Sequence, residues 1–145
     1  MDRQNFNNLR QIFNKSSISV FFPCYNDEKS ISGLVADAFA VLKKISADYE
    51  VIVIDDYSTD NSRKVLEKIQ KKFINLKLVF HKYNQGYGGA LKSGCKSASK
   101  ELVFYTDGDG QYDIKELPIL YSLMTDDVNF INGIKMVRND PNYRV

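Results

Sequence analysis

At 145 residues, with 43% hydrophobic side chains, the chain holds enough apolar material for one compact α/β domain with a core of its own. Its 20 Lys and Arg nearly cancel 18 Asp and Glu; a net charge of +2 supplies no long-range field for a nucleic-acid partner, so any preference for anions must be local. No apolar run nears the roughly 20 residues that span a bilayer, the start MDRQNFNNLR has no signal core, and the distant Cys24 and Cys95 suggest neither a zinc site nor a disulfide framework, so a reducing cytoplasm is the expected compartment.

Residues 1–16, with Phe6, Leu9 and Phe13, are expected to form an extra helix or an arm, and 17–145 a single domain. From there short β-rich runs alternate with segments of helical period, which predicts a mostly parallel, Rossmann-like sheet flanked by crossover helices. Strands are expected at 18–22, 51–54, 76–80, 102–105 and 128–131, each apolar enough to be covered on both faces. The first helix places Ile31, Leu34, Val35, Ala38 and Leu42 on one stripe, with Asn26 or Asp27 as its cap. The second carries Val65, Leu66, Ile69 and Phe73; a third runs over 88–98; Leu117, Leu120, Tyr121 and Met124 mark a fourth, with Pro118 in its first turn.

Each conspicuous polar cluster follows a strand directly. Pro23 to Asp27 follows the first, Asp55-Asp56 the second, Tyr83 to Gly89 the third and Asp107 to Gln111 the fourth. In a parallel sheet these points share one edge, so the clusters should converge on the crevice where α/β proteins bind ligands.

Asp107-Gly108-Asp109 puts two carboxylates into one tight loop, and Gln111 adds a further oxygen. Such a set suits a hard divalent cation with open positions for a diphosphate; a solvated turn capping the next helix is the alternative. A calcium loop of the EF-hand type fits poorly, since Pro118 stands where the bidentate Glu belongs. Of Asp55 and Asp56, one is expected to accept from a base or ribose and the other from backbone donors, with Ser58 capping the helix that follows. Asn84 to Gly89 could cradle phosphates or simply turn the chain into a helix, and it matches neither the Walker loop nor the dinucleotide fingerprint. His81, the only histidine, has no evident partner in the sequence and is given no catalytic role.

Taken together, Ser19 to Glu28 (SVFFPCYNDE), Val53 to Asp60 (VIDDYSTD) and Thr106 to Gln111 (TDGDGQ) resemble family 2 glycosyltransferases of the GT-A fold, in order and spacing across nearly the whole chain. Asn84 to Leu91 and Gly133-Ile134-Lys135 are similar to the polyprenyl-phosphate (dolichol-phosphate) sugar transferases of that family. The resemblance implies that Pro23, Tyr25, Asp27, Asn84, Gly88, Asp107 and Gly108 bind the nucleotide of a UDP- or GDP-sugar donor, with Ile54 and Asp56 addressing the base. It further implies that Asp107, Asp109 and Gln111 ligate Mg²⁺ or Mn²⁺, that Asp109 and Lys135 carry catalysis, and that Lys135, Arg138 and Arg144 meet an acceptor phosphate. A polyprenyl-phosphate acceptor would bring the full-length protein to the cytoplasmic face of a membrane. Asp27 stands where the family usually has Glu, and Tyr57 where the turn usually has Gly, so that turn must avoid positive φ or tolerate strain. Similar catalytic domains continue past position 145 into an acceptor-binding half, so a donor-binding part is expected here. A phosphoacceptor receiver domain, suggested by the acidic end of the 51–56 run, and a non-catalytic nucleotide-binding fragment are the rival readings.

Overall fold

The computed structural model describes residues 16–134. Four parallel strands form its sheet: β1 (Ile18–Cys24), β2 (Tyr49–Asp55), β3 (Leu76–Phe80) and β4 (Leu102–Tyr105), in the spatial order β3-β2-β1-β4. The chain steps outward from β1 to β3, then returns to the other side of β1. That reversal opens a crevice at the carboxyl ends of β1 and β4.

The crossovers are α1 (Ile31–Ile45), α2 (Ser62–Gln70) and α3 (Gly86–Ser97); after β4 a 3₁₀ turn (Ile114–Glu116) leads into α4 (Leu117–Leu123). Side-chain alternation along the strands divides the core in two. Val20 and Phe22 of β1 and Val51 and Val53 of β2 pack against α1, α2 and α4, through residues such as Leu42, Leu66 and Leu117. Phe21, Ile52 and Ile54 point the other way, against Ala90 of α3. Phe39 and Phe73 stack at 4.4 Å between ring centroids, so Phe73 serves the core from just beyond the end of α2.

Helix α3 lies close to the sheet because Gly94 leaves room for the Phe21 ring: a Cβ built on Gly94 would fall 2.3 Å from Phe21 Cδ2. Both residues are buried, so neither ring nor helix has anywhere to go. Gly94→Ala is therefore expected to destabilise the fold by about 2 kcal/mol, overpacking outweighing the helix propensity of alanine. Thermal unfolding checks this, and an unchanged Tm would refute the close packing.

At the amino-terminal rim of the sheet Glu50 is buried among donors. Its Oε1 accepts from Ser19 Oγ at 2.7 Å, Ser99 N at 2.8 Å and Ser99 Oγ at 2.9 Å, and Lys77 Nζ lies 2.5 Å from Oε2.

Four sequence expectations are corrected. Residues 128–131 form no strand among the described residues; Phe130 is 79% exposed, and the backbone bond there is the turn from Val128 N to Thr125 O. Four residues with Asn129 at their centre offer too little apolar face to hold a register. The two outer strands are only partly covered, each having a neighbour on one side, whereas β1 is buried throughout. Helix α1 is preceded by Ser30 at its N-cap, and Asn26 and Asp27 belong to the loop before it. Ser58 caps no helix: its Oγ accepts from Asn26 N, and Asp60 Oδ1 takes Ser62 N at the start of α2. Of the 1–16 arm only Ser16 is described, bonded through its N and O to the Tyr121 hydroxyl.

Candidate functional site

The carboxyl ends of the strands frame an open cleft of about 430 Å³, large enough for a small-molecule ligand. Pro23, Tyr25 and Asp27 line it from the β1 loop, Asp56 from the end of β2, Asn84 and Tyr87 from the entry to α3, and Asp107, Gly108 and Asp109 from the loop after β4. Segments more than 80 positions apart are thereby gathered at one place.

Backbone and side-chain latches hold these loops together. Gly108 N donates to Pro23 O at 3.2 Å, and a Cβ on Gly108 would fall 2.5 Å from that same carbonyl, so the acidic loop can lie on β1 only with glycine at this position. Ser30 Oγ donates to Gly108 O from the start of α1. Between the first two loops, Asn26 Oδ1 accepts from Thr59 N at 2.8 Å, Ser62 Oγ accepts from Asp27 N at 3.0 Å and Glu28 Oε2 accepts from Asn61 N at 2.8 Å. Asn26 and Tyr57 at the two bends have φ of +56° and +66°. For Asn this is common; for Tyr57 it is strain, and the chain tolerates it where glycine would avoid it. The Tyr57 ring lies against the Arg63 guanidinium at 5.7 Å, and Arg63 Nε bonds Asp55 Oδ2 at 2.6 Å.

The adjacent carboxylates at the end of β2 separate their duties. Asp55 is wholly buried and accepts from Arg63 and from Ser58 N, a structural task. Asp56 accepts through Oδ1 from Gln85 N and faces the cleft. In the acidic loop, Asp107 Oδ1 accepts from the Tyr87 hydroxyl at 2.7 Å and Asp109 Oδ1 from Gln111 N at 3.0 Å. Burial raises the Tyr87 phenol well above its usual range, and the bond to Asp107 raises it further. Burial also raises the Asp27 carboxyl; the Tyr25 N–H opposes this, and the charges of Asp109 and Asp60 add to it. Burial pushes the Cys24 thiol up to about 12, with the Asp27 and Asp55 charges adding to it, which leaves it a packing residue rather than a nucleophile.

Four aspartates line the cleft, and among the described residues no lysine or arginine does. The geometry brings together Pro23, Tyr25, Asp27, Asp56, Asn84, Asp107, Gly108 and Asp109 of the expected site. It leaves three outside: Ile54 is wholly buried in the core beneath α3, Gly88 sits exposed on the first turn of that helix, and Gln111 is exposed beyond the acidic loop. Lys135, Arg138 and Arg144 lie outside the described residues.

The model of glycosyl transferase family 2 matches residues 19–145. The chain belongs to this family. Family membership across the 51–56 strand and its surroundings leaves no room for the receiver reading. Among relatives, an undecaprenyl-phosphate 4-deoxy-4-formamido-L-arabinose transferase of Proteus mirabilis is 29% identical over 131 residues, 89% of this chain and 40% of the relative. A dolichyl-phosphate beta-glucosyltransferase of Trichomonas vaginalis is 29% identical over 119 residues, 77% of this chain and 36% of the relative. Among solved structures, a mannosyltransferase from Pyrobaculum calidifontis in complex with GDP-Man and Mn²⁺ superposes with a TM-score of 0.68 at 20% identity, covering 87% of this chain and 41% of its own. The fold is thus the GT-A fold, and this chain spans well under half the length of these two relatives.

Two residues that bond to the paired aspartates behind the cleft escaped the sequence reading. His81 bonds Asp56 across 25 positions, and Arg63 joins Asp55 to the His81 carbonyl at 2.6 Å. The only signal for His81 was its place at a strand end, shared with every other cluster. Arg63 read as one more charged residue on a helix.

Proposed function

We propose that this chain is the donor-binding part of a metal-dependent, inverting glycosyltransferase that moves a sugar from a nucleoside-diphosphate sugar to a polyprenyl phosphate at the cytoplasmic face of a membrane. The observation that carries the reading is the convergence of four aspartates on one cleft, which no basic side chain lines among the described residues. A diphosphate would be repelled from such a surface unless a cation accompanied it. The donor set is all hard oxygen on a short loop, which suits Mg²⁺ or Mn²⁺ with positions left open. Asp107 and Asp109 are the residues that would hold the ion. Bound there, it supplies positive charge opposite the departing diphosphate.

Asp56 accepts a hydrogen bond from the base, and Pro23, Tyr25, Asp27, Asn84 and Gly108 enclose the nucleotide. This part takes the limits 17–145 within a longer protein that carries an acceptor-binding half; the 40% share of one relative that is matched supports that reading. Lys135, Arg138 and Arg144 supply cationic contacts to the acceptor phosphate. A lipid phosphate oxygen is already anionic near neutral pH, so its attack on the anomeric carbon, with the carbon–diphosphate bond breaking on the opposite side, needs no strong general base. Lipid-phosphate transferases among the relatives support that acceptor.

Calorimetry with Mn²⁺ and UDP, GDP or pyrophosphate tests the reading. Asp56→Ala should weaken the preferred nucleotide by about 10- to 100-fold, as loss of a charged hydrogen bond does, and spare pyrophosphate. Equal loss of all three ligands would indicate misfolding. A wild-type chain that binds no nucleoside diphosphate would sink the proposal, and a turnover assay on the full-length protein separates an enzyme from a non-catalytic binder.

A further inference from the structure

His81, the only histidine of the chain, is buried at the end of β3, 5% exposed, beside the 4% exposed Asp56. Its Nδ1 lies 2.7 Å from Asp56 Oδ1, and its Nε2 lies 2.8 Å from Ser93 Oγ on α3. A carboxylate oxygen accepts, so a ring proton belongs on Nδ1, and when Nε2 carries none it accepts from the serine hydroxyl. The backbone fixes the ring further: His81 N donates to Asp55 O at 2.9 Å, and His81 O accepts from Arg63. Asp56 Oδ1 receives a second donor, Gln85 N, at 2.8 Å. Oδ1 is thus committed to the protein, and Oδ2 has no bond among the described residues although Asp56 lines the cleft.

We infer that His81, braced by Ser93, is a positioning residue that commits one oxygen of Asp56 to the protein and presents the other to the ligand as a pure acceptor. The inference rests on the reading of Asp56 as the base-recognising group. Selectivity is its consequence. A fixed acceptor favours a ring with an N–H on its pairing edge, as in uracil and guanine, and penalises cytosine and adenine, whose ring nitrogen there is itself an acceptor.

Two measurements on the whole chain test this. With a single imidazole in the protein, ¹⁵N-edited NMR reads its tautomer without ambiguity, and the proton is expected on Nδ1; a proton on Nε2 alone overturns the inference. In Mn²⁺-supported titrations, His81→Leu should weaken the preferred nucleoside diphosphate by about 10- to 100-fold and narrow its margin over CDP and ADP, with pyrophosphate unchanged. His81→Asn, whose amide N–H lies near the Nδ1 position, should recover most of that loss. A folded His81→Leu that binds nucleotides as wild type does, or loses pyrophosphate in step with them, overturns the proposal. Should His81→Leu fail to fold, Ser93→Ala decides together with the tautomer: a severalfold loss confined to nucleotides supports the brace, and no loss rejects it. A wild-type chain that binds no nucleoside diphosphate defeats the functional reading instead, while the tautomer still judges the hold of His81 on Asp56.

Discussion

Asp109→Ala is expected to abolish Mn²⁺-dependent binding of a nucleoside diphosphate, read as the loss of metal-dependent heat in calorimetry. Partners that merely support a metal ligand change affinity by about 10- to 100-fold, so removing one of two carboxylates on the acidic loop should exceed that range. The fold should survive, because Asp109 is exposed and its one bond is to the Gln111 amide of its own loop. Ligand-free melting should even improve slightly, since the Asp109 charge opposes ionisation of Asp27. Unchanged metal-dependent binding would remove Asp109 from the cation site.

Glu50→Ala is expected to cost about 3 kcal/mol, read as a lower Tm, with little effect on nucleotide binding in whatever fraction stays folded. Alanine leaves the buried Ser19 hydroxyl without the carboxylate it donates to and takes from the Ser99 amide the shorter of its two bonds, and a buried donor loses more than a net hydrogen bond when stranded. The same carboxylate makes stability depend on acid. Burial alone would raise it, but the Lys77 ammonium, the Ser19 hydroxyl and the Ser99 donors bring it from 4.5 down to about 2. A depressed carboxyl contributes stability that is complete above its unfolded value and lost as pH falls toward the folded one, here between about 4.5 and about 2. Glu50→Gln should flatten the pH dependence of Tm across that window, and an undiminished slope would assign acid sensitivity elsewhere.

The sequence made the interior legible because burial writes itself as periodicity. Strands 76–80 and 102–105 were placed to the residue, and the five residues proposed for the inner stripe of α1 are all buried. Strand 128–131 failed because a short apolar run carries no information about whether a neighbour exists to receive its hydrogen bonds. The convergence of the clusters at one rim was also readable, since parallel order alone dictates it. What a linear reading cannot give is pairing between distant side chains. Nothing near His81 in the sequence names Asp56 or Ser93, and only the fold sets β2 beside β3 and brings Ser93 of α3 to the end of β3. Ile54 shows the converse: a strand residue next to a site was taken for part of it, yet strand alternation turns it toward α3. Tyr57 marked the one bend where sequence posed a sharp alternative, and its positive φ chose tolerance of strain.

Glu50 near the start of β2 and Asp56 just past its end are six positions apart along extended chain, which sets them about 20 Å from each other. Salt at cellular strength damps electrostatic influence within about 8 Å, so a charge altered beside Ser19, Lys77 or Ser99 is hardly felt by whatever occupies the far rim. The scaffold can therefore drift in heat and acid tolerance along one border while its choice of guest is revised, independently, along the other.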